Sequence, residues 1–267
     1  MKEMTVRLHL VVLSRTGEVV CEACGTDGVS LMPPRPWRPG DSIVLWTNVW
    51  PLRLRLEFDR MLAPTEVWLM ADRMDFPIPY GKGLEAYPPG AFSGKRPGEV
   101  HVCRVPAPQG RYVLSENPLD RRGETTYFPH CTASAETRGE AVFAARNTID
   151  GVCENTCHGE WPYQSWGDDE NPYAEIMVEF GRLVRVDGLR VWLRADFPHD
   201  NWWRRARLLF SDGSSKVLSF EKTKAAQEFS FAPRTVSWVK LTRLEKDADD
   251  PSPFPALTQW ALLGYEK

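Results

Sequence analysis

The sequence lacks long apolar runs, an excess of charge of either sign and sustained helical periodicity. No apolar stretch approaches the roughly 18 residues that a membrane-spanning helix needs. The 267 residues include 33 Lys and Arg against 36 Asp and Glu, a formal net charge of −3. This balance argues against recruitment to nucleic acid or to an anionic membrane by bulk electrostatics. We therefore expect neither nucleic acid nor membrane among the partners.

Common catalytic motifs are also absent: there is no nucleophile elbow, phosphate-binding loop, zinc-protease helix or dinucleotide fingerprint. The first residues lead into a short strand pattern without a secretory apolar segment, which favours a cytoplasmic address. In that reducing compartment the six cysteines are expected to be free thiols. Cys21-x-x-Cys24 has metal-binding or redox spacing, but no second such pair accompanies it. A hairpin at a strand end is the simpler interpretation.

A second cysteine pattern, Cys153-x-x-x-Cys157-His158, brings soft ligand types together in one short segment. Zinc at this segment would need a fourth ligand from elsewhere, for which Cys131 and His130 are candidates. The alternative is that these are buried thiols beside a loop. The spacing leaves both interpretations open.

The residue type in excess is tryptophan, with 11 copies, beside 22 Pro and 19 Gly. Short apolar or alternating runs between turn residues, of which residues 52–58 are the clearest, predict an all-β fold. We expect a small N-terminal β-sandwich over residues 1–115, a polar connector over 116–130 and a jelly-roll β-sandwich over 131–267. The strands predicted in the last part are 174–180, 184–194, 206–211, 216–220, 228–231, 236–244 and 258–263.

Several motifs of the second half occur in a recognisable order. They are Ala133-Ser134-Ala135-Glu136, the loop 145–151 that ends in Asp150-Gly151, Trp166, the strands 174–181 and 186–193, the hairpin 206–213, and the strands 236–241 and 258–264. Together they resemble discoidin, or coagulation factor 5/8 type C, domains and related carbohydrate-binding modules of the galactose-binding-like jelly-roll fold. The resemblance covers residues 130–267 and is shared with uncharacterised bacterial proteins that carry such a module behind a β domain. It implies a carbohydrate ligand and no particular reaction.

The same resemblance implies a structural calcium ion. In the family the ion is held by the aspartate of the loop, by loop carbonyls and by an acid near the C-terminus. Asp150 and Asn155 match the loop, whereas Gln259 stands at the position of the acid. An amide oxygen is a weaker calcium ligand than a carboxylate because it carries less charge.

Two loops combine aromatic rings with hydrogen-bonding groups, the mixture that a sugar-binding site requires. Residues 158–166 form one loop and residues 194–203 the other. The candidate ligand-binding residues are His158, Glu160, Trp161, Tyr163, Arg194, Asp196, His199, Asp200, Trp202 and Trp203. The segment 136–140 is a third candidate contributor.

Ordinary structural roles compete with binding for several of these residues. Trp166, Trp192 and Trp238 are expected in the core or half-buried. Trp202 and Trp203 are adjacent, so only one of them is expected to face a pocket. Trp161, between Gly159 and Pro162, is the preferred platform for a sugar ring. Arg194 and Asp196 share a strand face by period two, so they are also compatible with a surface ion pair.

Two other classes of function remain open. The first is a sugar-active or metal-dependent hydrolase that uses Asp196, His199, Asp200 and Glu160, since glycoside hydrolysis needs two carboxylates across the bond. The second is a protein-interaction scaffold or homodimer. The bulky residues of the 75–98 loop motivate it; they are Phe76, Ile78, Tyr80, Tyr87 and Phe92.

Overall fold

The computed structural model describes residues 5–94, 97–155, 159–195 and 200–267. Within these ranges the regular elements are strands and short 3₁₀ helices, which confirms the predicted all-β class. The strands are β1 (Arg7–Leu13), β2 (Val19–Thr26), β3 (Gly28–Leu31), β4 (Ser42–Thr47), β5 (Leu52–Glu57), β6 (Thr65–Leu69), β7 (Arg73–Pro77), β8 (Val100–Arg104), β9 (Tyr112–Val113), β10 (Tyr127–Phe128), β11 (His130–Ala133), β12 (Trp166–Gly167), β13 (Ile176–Arg194), β14 (Asp200–Asn201), β15 (Trp203–Phe210), β16 (Ser215–Ser219), β17 (Gln227–Lys246) and β18 (Phe254–Glu266). The 3₁₀ helices are Gly81–Ala86, Thr137–Gly139, Ala141–Phe143 and Ala145–Ile149. None of the described helices is long and apolar enough to cross a membrane.

The chain forms two compact units. The first consists of residues 1–107 and 124–128, and the second of residues 108–123 and 129–267. The segment 116–130, expected as a connector, therefore contributes to both units. Its first part belongs to the second unit, and its 124–128 stretch supplies β10 to the first.

The first unit contains two antiparallel sheets, with strand orders β2-β1-β4-β7 and β10-β6-β5-β8-β3. In β5 the apolar residues Leu52, Leu54 and Leu56 are buried, and the charged residues between them are half-buried. Successive side chains of a strand point to opposite faces, so this alternation directs one face of the sheet into the core. The half-buried strand predicted at 52–58 is confirmed.

The loop expected to present aromatic residues for interaction instead packs most of them into the first unit. Tyr80 is exposed. The other four bulky residues are buried: Phe76, Ile78, Tyr87 and Phe92. The three aromatic rings among them contact one another, with 5.5 Å between the centroids of Phe76 and Phe92 and 5.4 Å between those of Tyr87 and Phe92. These residues are core, so they no longer motivate a docking surface.

The second unit is the jelly-roll β-sandwich, with the strand path β12-β18-β13-β17-β15-β16 and with β9, β11 and β14 on its edges. Strands predicted separately at 174–180 and 184–194 form the single 19-residue strand β13. Those predicted at 228–231 and 236–244 form the single 20-residue strand β17. Separate strands were the wrong prediction, because register shifts between Glu179 and Val184 and between Val186 and Gly188 interrupt the pattern without ending the strand. Irregularities of this kind can bend a strand locally without ending it.

Candidate functional site

A cavity of about 260 Å³ opens at one end of the second unit, where several strand ends meet. The first residues of β18 pair with three other strands at this end of the unit. Ala256 pairs with both Gly167 of β12 and Arg194 at the end of β13, and Phe254 pairs with Asp200 of β14. Strand pairing therefore brings together residues that are far apart in the sequence. The lining residues are Thr137, Arg138, Phe143, Gly167, Asp168, Arg194, Asp200, Phe254, Pro255 and Ala256.

Arg194 and Asp200 form a buried ion pair in the cavity wall. The Nε of Arg194 lies 3.1 Å from Oδ2 of Asp200, and the two side chains are 2% and 6% exposed. A second guanidinium nitrogen, Nη1, donates to the carbonyl oxygen of Tyr163 at 3.1 Å. Buried charges are stable only when they are paired and hydrogen-bonded, so these contacts fix both groups in place. The loop residues predicted around Arg194 thus reach the cavity through Arg194 and Asp200.

Asp168 contributes a second carboxylate to the wall. It is buried, accepts a hydrogen bond from the backbone N–H of Glu170 at 3.1 Å, and accepts another from the indole of Trp203. Burial raises the pKa of Asp168 to about 6, and these hydrogen bonds oppose the rise. At neutral pH this acid, which lines the cavity, is therefore largely ionised.

Arg138 and Phe143 form another side of the cavity. The guanidinium carbon of Arg138 lies over the Phe143 ring, 5.3 Å from its centroid. The same guanidinium donates to both carboxylate oxygens of Glu140 at 2.8 Å. Gly167 lies close beside them: a Cβ at that position would lie 2.3 Å from the hydroxyl oxygen of Thr137, so the Thr137 side chain would have to move. The wall is thus apolar where Phe143 faces it and polar along its rim.

The three tryptophans predicted to bind ligand, Trp161, Trp202 and Trp203, are not among the described residues that line this cavity. Trp203 is buried and stacks on the core residue Trp166, with 5.6 Å between ring centroids. Trp202 and Trp161 are half-buried. The aromatic residue at the cavity mouth is Phe254, 44% exposed, which sequence reasoning missed. In the sequence, Phe254 is marked only as a lone aromatic residue after the rigid segment Pro251-Ser252-Pro253.

The remaining candidate ligand residues divide into two groups. Glu160 is exposed and Tyr163 is half-buried, and neither is among the described residues that line the cavity. The other group lies outside the described residues; it consists of His158, Asp196 and His199. The segment 136–140, expected as a third contributor, reaches the cavity through Thr137 and Arg138.

The three residues implied as calcium ligands have the right chemistry for a hard cation. Asp150 is buried, and its carboxylate accepts from Val152 N at 2.9 Å and from Gln164 Nε2 at 3.2 Å. No salt bridge to Asp150 occurs within the described ranges, and burial raises its pKa to about 7. In the same ranges Oδ1 of Asn155 and Oε1 of Gln164 are buried without a hydrogen-bond partner. Oxygen atoms in this state fit an oxygen-seeking ion.

The side-chain amide of Gln259 lies beside this loop. Its nitrogen donates to the carbonyl oxygen of Thr148 at 3.0 Å, and its oxygen accepts from Gly151 N at 3.1 Å. The side-chain nitrogen of Asn155 donates to the hydroxyl oxygen of Thr258, the residue before Gln259, at 2.7 Å. Gln259 and Asn155 therefore belong to one connected region.

The cysteine patterns yield no zinc cluster in the part of the chain that the structure describes. Cys21 and Cys24 lie three residues apart on β2, opposite Val12 and His9, so their side chains point to opposite faces. Cys131 is buried, with Sγ 3.5 Å from the hydroxyl oxygen of Thr148. Burial raises its pKa, which makes it an unreactive thiol. Cys157 lies outside the described residues.

No protein-family model matches the chain. No curated protein matches it either. Solved structures similar to about half of the chain are carbohydrate-binding modules. Chitosan-binding module 1 of a chitosanase/glucanase from Paenibacillus sp. IK-5 is 16% identical, with 57% of this chain and 98% of that chain covered and a TM-score of 0.38. The family 32 CBM of C. perfringens NanJ, in complex with galactose, is 13% identical over 50% and 91% of the two chains, with a TM-score of 0.38.

A third similar structure is the C-terminal domain of a chitobiase from Bacteroides fragilis. It is 16% identical, covers 51% of this chain and 91% of its own, and has a TM-score of 0.40. These modules belong to the class that the motif order of the sequence resembles. The assignment of the site rests on the contacts of this chain alone.

Proposed function

We propose that the second unit binds a carbohydrate in the cavity at the start of β18, without catalysing a reaction. The observation that carries the proposal is the composition of this one opening. It places the exposed ring of Phe254 beside buried, hydrogen-bonding groups of Arg194 and Asp168. A small number of fixed polar groups in an otherwise apolar concavity is the usual design of a small-molecule site.

Each wall residue has a distinct task in this proposal. Phe254 supports the apolar C–H face of a sugar ring. Arg194, held by Asp200 and by the Tyr163 carbonyl, presents its guanidinium N–H groups to hydroxyl oxygens. Asp168 accepts hydrogen bonds from hydroxyl groups. The volume of about 260 Å³ lies just below the range of drug-sized pockets, which suits a single sugar ring.

Binding is preferred over hydrolysis because the two described carboxylates of the hydrolase hypothesis, Glu160 and Asp200, do not form a pair in the cavity wall. Glu160 is not among the described residues that line the cavity, and Asp200 is already paired with Arg194. Asp196 and His199, the other two members of that set, lie outside the described residues. The proposal therefore assigns no catalytic residue.

Substitution of Phe254 tests the site. A glycan array identifies the sugars that the wild type binds, and titration calorimetry then compares it with Phe254→Ala. We expect at least a tenfold weaker affinity, about 1.4 kcal/mol, because the substitution removes the platform and leaves the partly exposed backbone in place. Tyr173→Ala is the matched control, since Tyr173 is an 85% exposed aromatic in the same unit that does not line the cavity. A wild type that binds no glycan, or equal affinity for the wild type and Phe254→Ala, would contradict the proposal.

We also propose that Asp150, Asn155 and Gln259 hold a structural calcium ion. The buried oxygen atoms without hydrogen-bond partners support this proposal, as does the buried Asp150 carboxylate, which forms no salt bridge within the described ranges. When bound, the ion would supply positive charge to a buried anionic loop. Because only one of the three residues is a carboxylate, a modest affinity is expected.

A further inference from the structure

The charges around the cavity do not cancel. Arg194 is neutralised by Asp200 at 3.1 Å, and Arg138 is neutralised by both oxygens of Glu140 at 2.8 Å. Asp168 is a third, buried carboxylate in the same wall, and it forms no salt bridge within the described ranges. The cavity therefore presents one anionic group whose charge no side chain in contact with it balances.

The surroundings of Asp168 keep the group in place without neutralising it. Its hydrogen-bond donors are the backbone N–H groups of Glu170 and of Asp168 itself and the indole of Trp203, all of which are neutral. The other charged group that influences it is Lys246, which acts from beyond salt-bridge distance. Burial raises its pKa to about 6, as expected of a carboxylate that has lost water and gained no cation. A buried charge of this kind gains most from a ligand that brings the missing cation.

We infer that the cavity selects a sugar that carries a protonated amine, with Asp168 as its counterion. The inference deepens the proposed carbohydrate-binding function and rests on it. An ammonium group donates three hydrogen bonds and supplies a full positive charge, whereas a hydroxyl at the same position donates one hydrogen bond and no charge. An anionic sugar gains nothing comparable, since both arginines of the wall already have carboxylate partners.

Matched sugars test the choice of ligand. Titration at pH 7 compares glucosamine and galactosamine with glucose, galactose and their N-acetylamino and uronic acid forms. We expect at least one amino sugar to bind about tenfold or more tightly than its parent sugar, because a hydrogen bond to a buried charged group is stronger than one between neutral groups. The preference should survive added salt, since screening acts mainly on exposed charges.

Two isosteric substitutions test the role of Asp168. Asp168→Asn removes the charge and keeps an acceptor, so the amino sugar should lose its advantage while the parent sugar keeps its affinity within about threefold. Glu170→Gln is the matched control: it removes the same charge two residues away, on an exposed side chain, and should keep the preference. Thermal unfolding of both variants verifies that each is folded.

The outcomes separate this inference from the function on which it rests. Parent sugars that bind in the cavity as well as or better than amino sugars overturn the inference and leave carbohydrate binding intact. Tighter binding of the uronic acids overturns it as well. Equal losses for amino and parent sugars in Asp168→Asn assign Asp168 as a simple acceptor and likewise reject the ammonium site. Absence of binding for every sugar overturns the proposed function together with the inference.

Discussion

Burial without an ion-pair partner makes Asp150 sensitive to pH. The ordinary pKa of an aspartate is near 3.8, and burial raises that of Asp150 to about 7. Between these two values the folded state holds a proton that the unfolded state has released. The free energy of unfolding therefore falls as the pH rises from about 4 to about 7. A bound calcium ion would reverse this penalty, because it favours the ionised carboxylate.

Asp150→Asn separates these effects. In the presence of a chelator we expect the wild type to be less stable at pH 8 than at pH 5, and added calcium to raise its Tm at pH 8. The variant should lack the part of the pH dependence that Asp150 causes and should not respond to calcium. Its amide can keep the Val152 contact, and Gln164 can rotate so that its unpartnered Oε1 accepts from the new NH₂ group.

Thermal unfolding at the two pH values, with calcium and with a chelator, measures these changes. Glu154→Gln is the control, since it removes one negative charge from an exposed neighbour in the same loop. A wild type whose Tm does not change with calcium at pH 8 would reject the ion. A variant that retains the calcium response would reject Asp150 as its ligand.

At the scale of strands, the pairing of β18 with β13 leaves no room for a side chain at Gly264. A Cβ at Gly264 would lie 2.0 Å from the carbonyl oxygen of Arg185, beside the bulge between Val186 and Gly188. Real Cβ atoms do not approach a backbone oxygen so closely, and a backbone atom cannot rotate away as a side chain does. A side chain at this point therefore requires the two strands to separate.

Gly264→Ala should lower the free energy of unfolding by roughly 1–3 kcal/mol, the usual cost of overpacking a filled site. Gly98→Ala is the control, because no atom lies within 4 Å of the added Cβ and its backbone is not in the left-handed region. Urea denaturation of the two variants measures the difference. Equal stability of Gly264→Ala and the wild type would show that the bulge yields without cost.

Pairing between strands also explains which parts of the site the sequence could predict. Arg194 and Asp200 were predicted from one aromatic-rich and charged segment, because their chemistry is visible locally. Asp168 carries no such local signal, and Phe254 is marked only as a lone aromatic residue after a proline-rich segment. They join the cavity since β12 and β14 both pair with the beginning of β18. The order of motifs predicted the fold of the second unit, whereas the pairing register decided which side chains meet.

Trp202 and Trp203 show the converse case, in which residues predicted to bind ligand do not line the cavity. Trp203 belongs to the core of the second unit and Trp202 packs half-buried against that core, so neither is among the described residues that line the cavity. Trp203 became the buried ring against Trp166, and its indole orients Asp168. Trp203, which was predicted to contact ligand, therefore contacts Asp168, and Asp168 lines the cavity.

For the whole molecule, the second unit begins before the point that composition suggested. Arg146 is buried and donates to the carbonyl oxygens of Asp120 at 2.7 Å and Pro118 at 2.6 Å. Cys131 N donates to the Asp120 carboxylate at 2.8 Å. Leu114 also belongs to the core of this unit. A fragment that starts at residue 131 loses all these partners.

We therefore expect a fragment of residues 108–267 to unfold cooperatively and one of residues 131–267 to be destabilised by about 3–5 kcal/mol or to fail to fold. This is the usual cost of removing the partners of a buried charge. Circular dichroism during thermal unfolding compares the two fragments. Arg146→Met in the longer fragment is the control, since it removes the buried charge together with its need for acceptors. Equal stability of the two fragments would contradict the assignment of residues 108–123 to the second unit.

The insertion of β10 into the first unit has a consequence for biosynthesis. Tyr127 and Phe128 pair with Leu69 and Trp68 of β6, and Tyr127 is buried. The edge of that sheet is therefore incomplete when residue 107 leaves the ribosome, and its last strand is made about 20 residues later. At ordinary elongation rates this delay is about 1–4 seconds. During that interval the nascent chain carries an open sheet edge, so a pause in translation between these points would prolong its exposure to chaperones and to other chains.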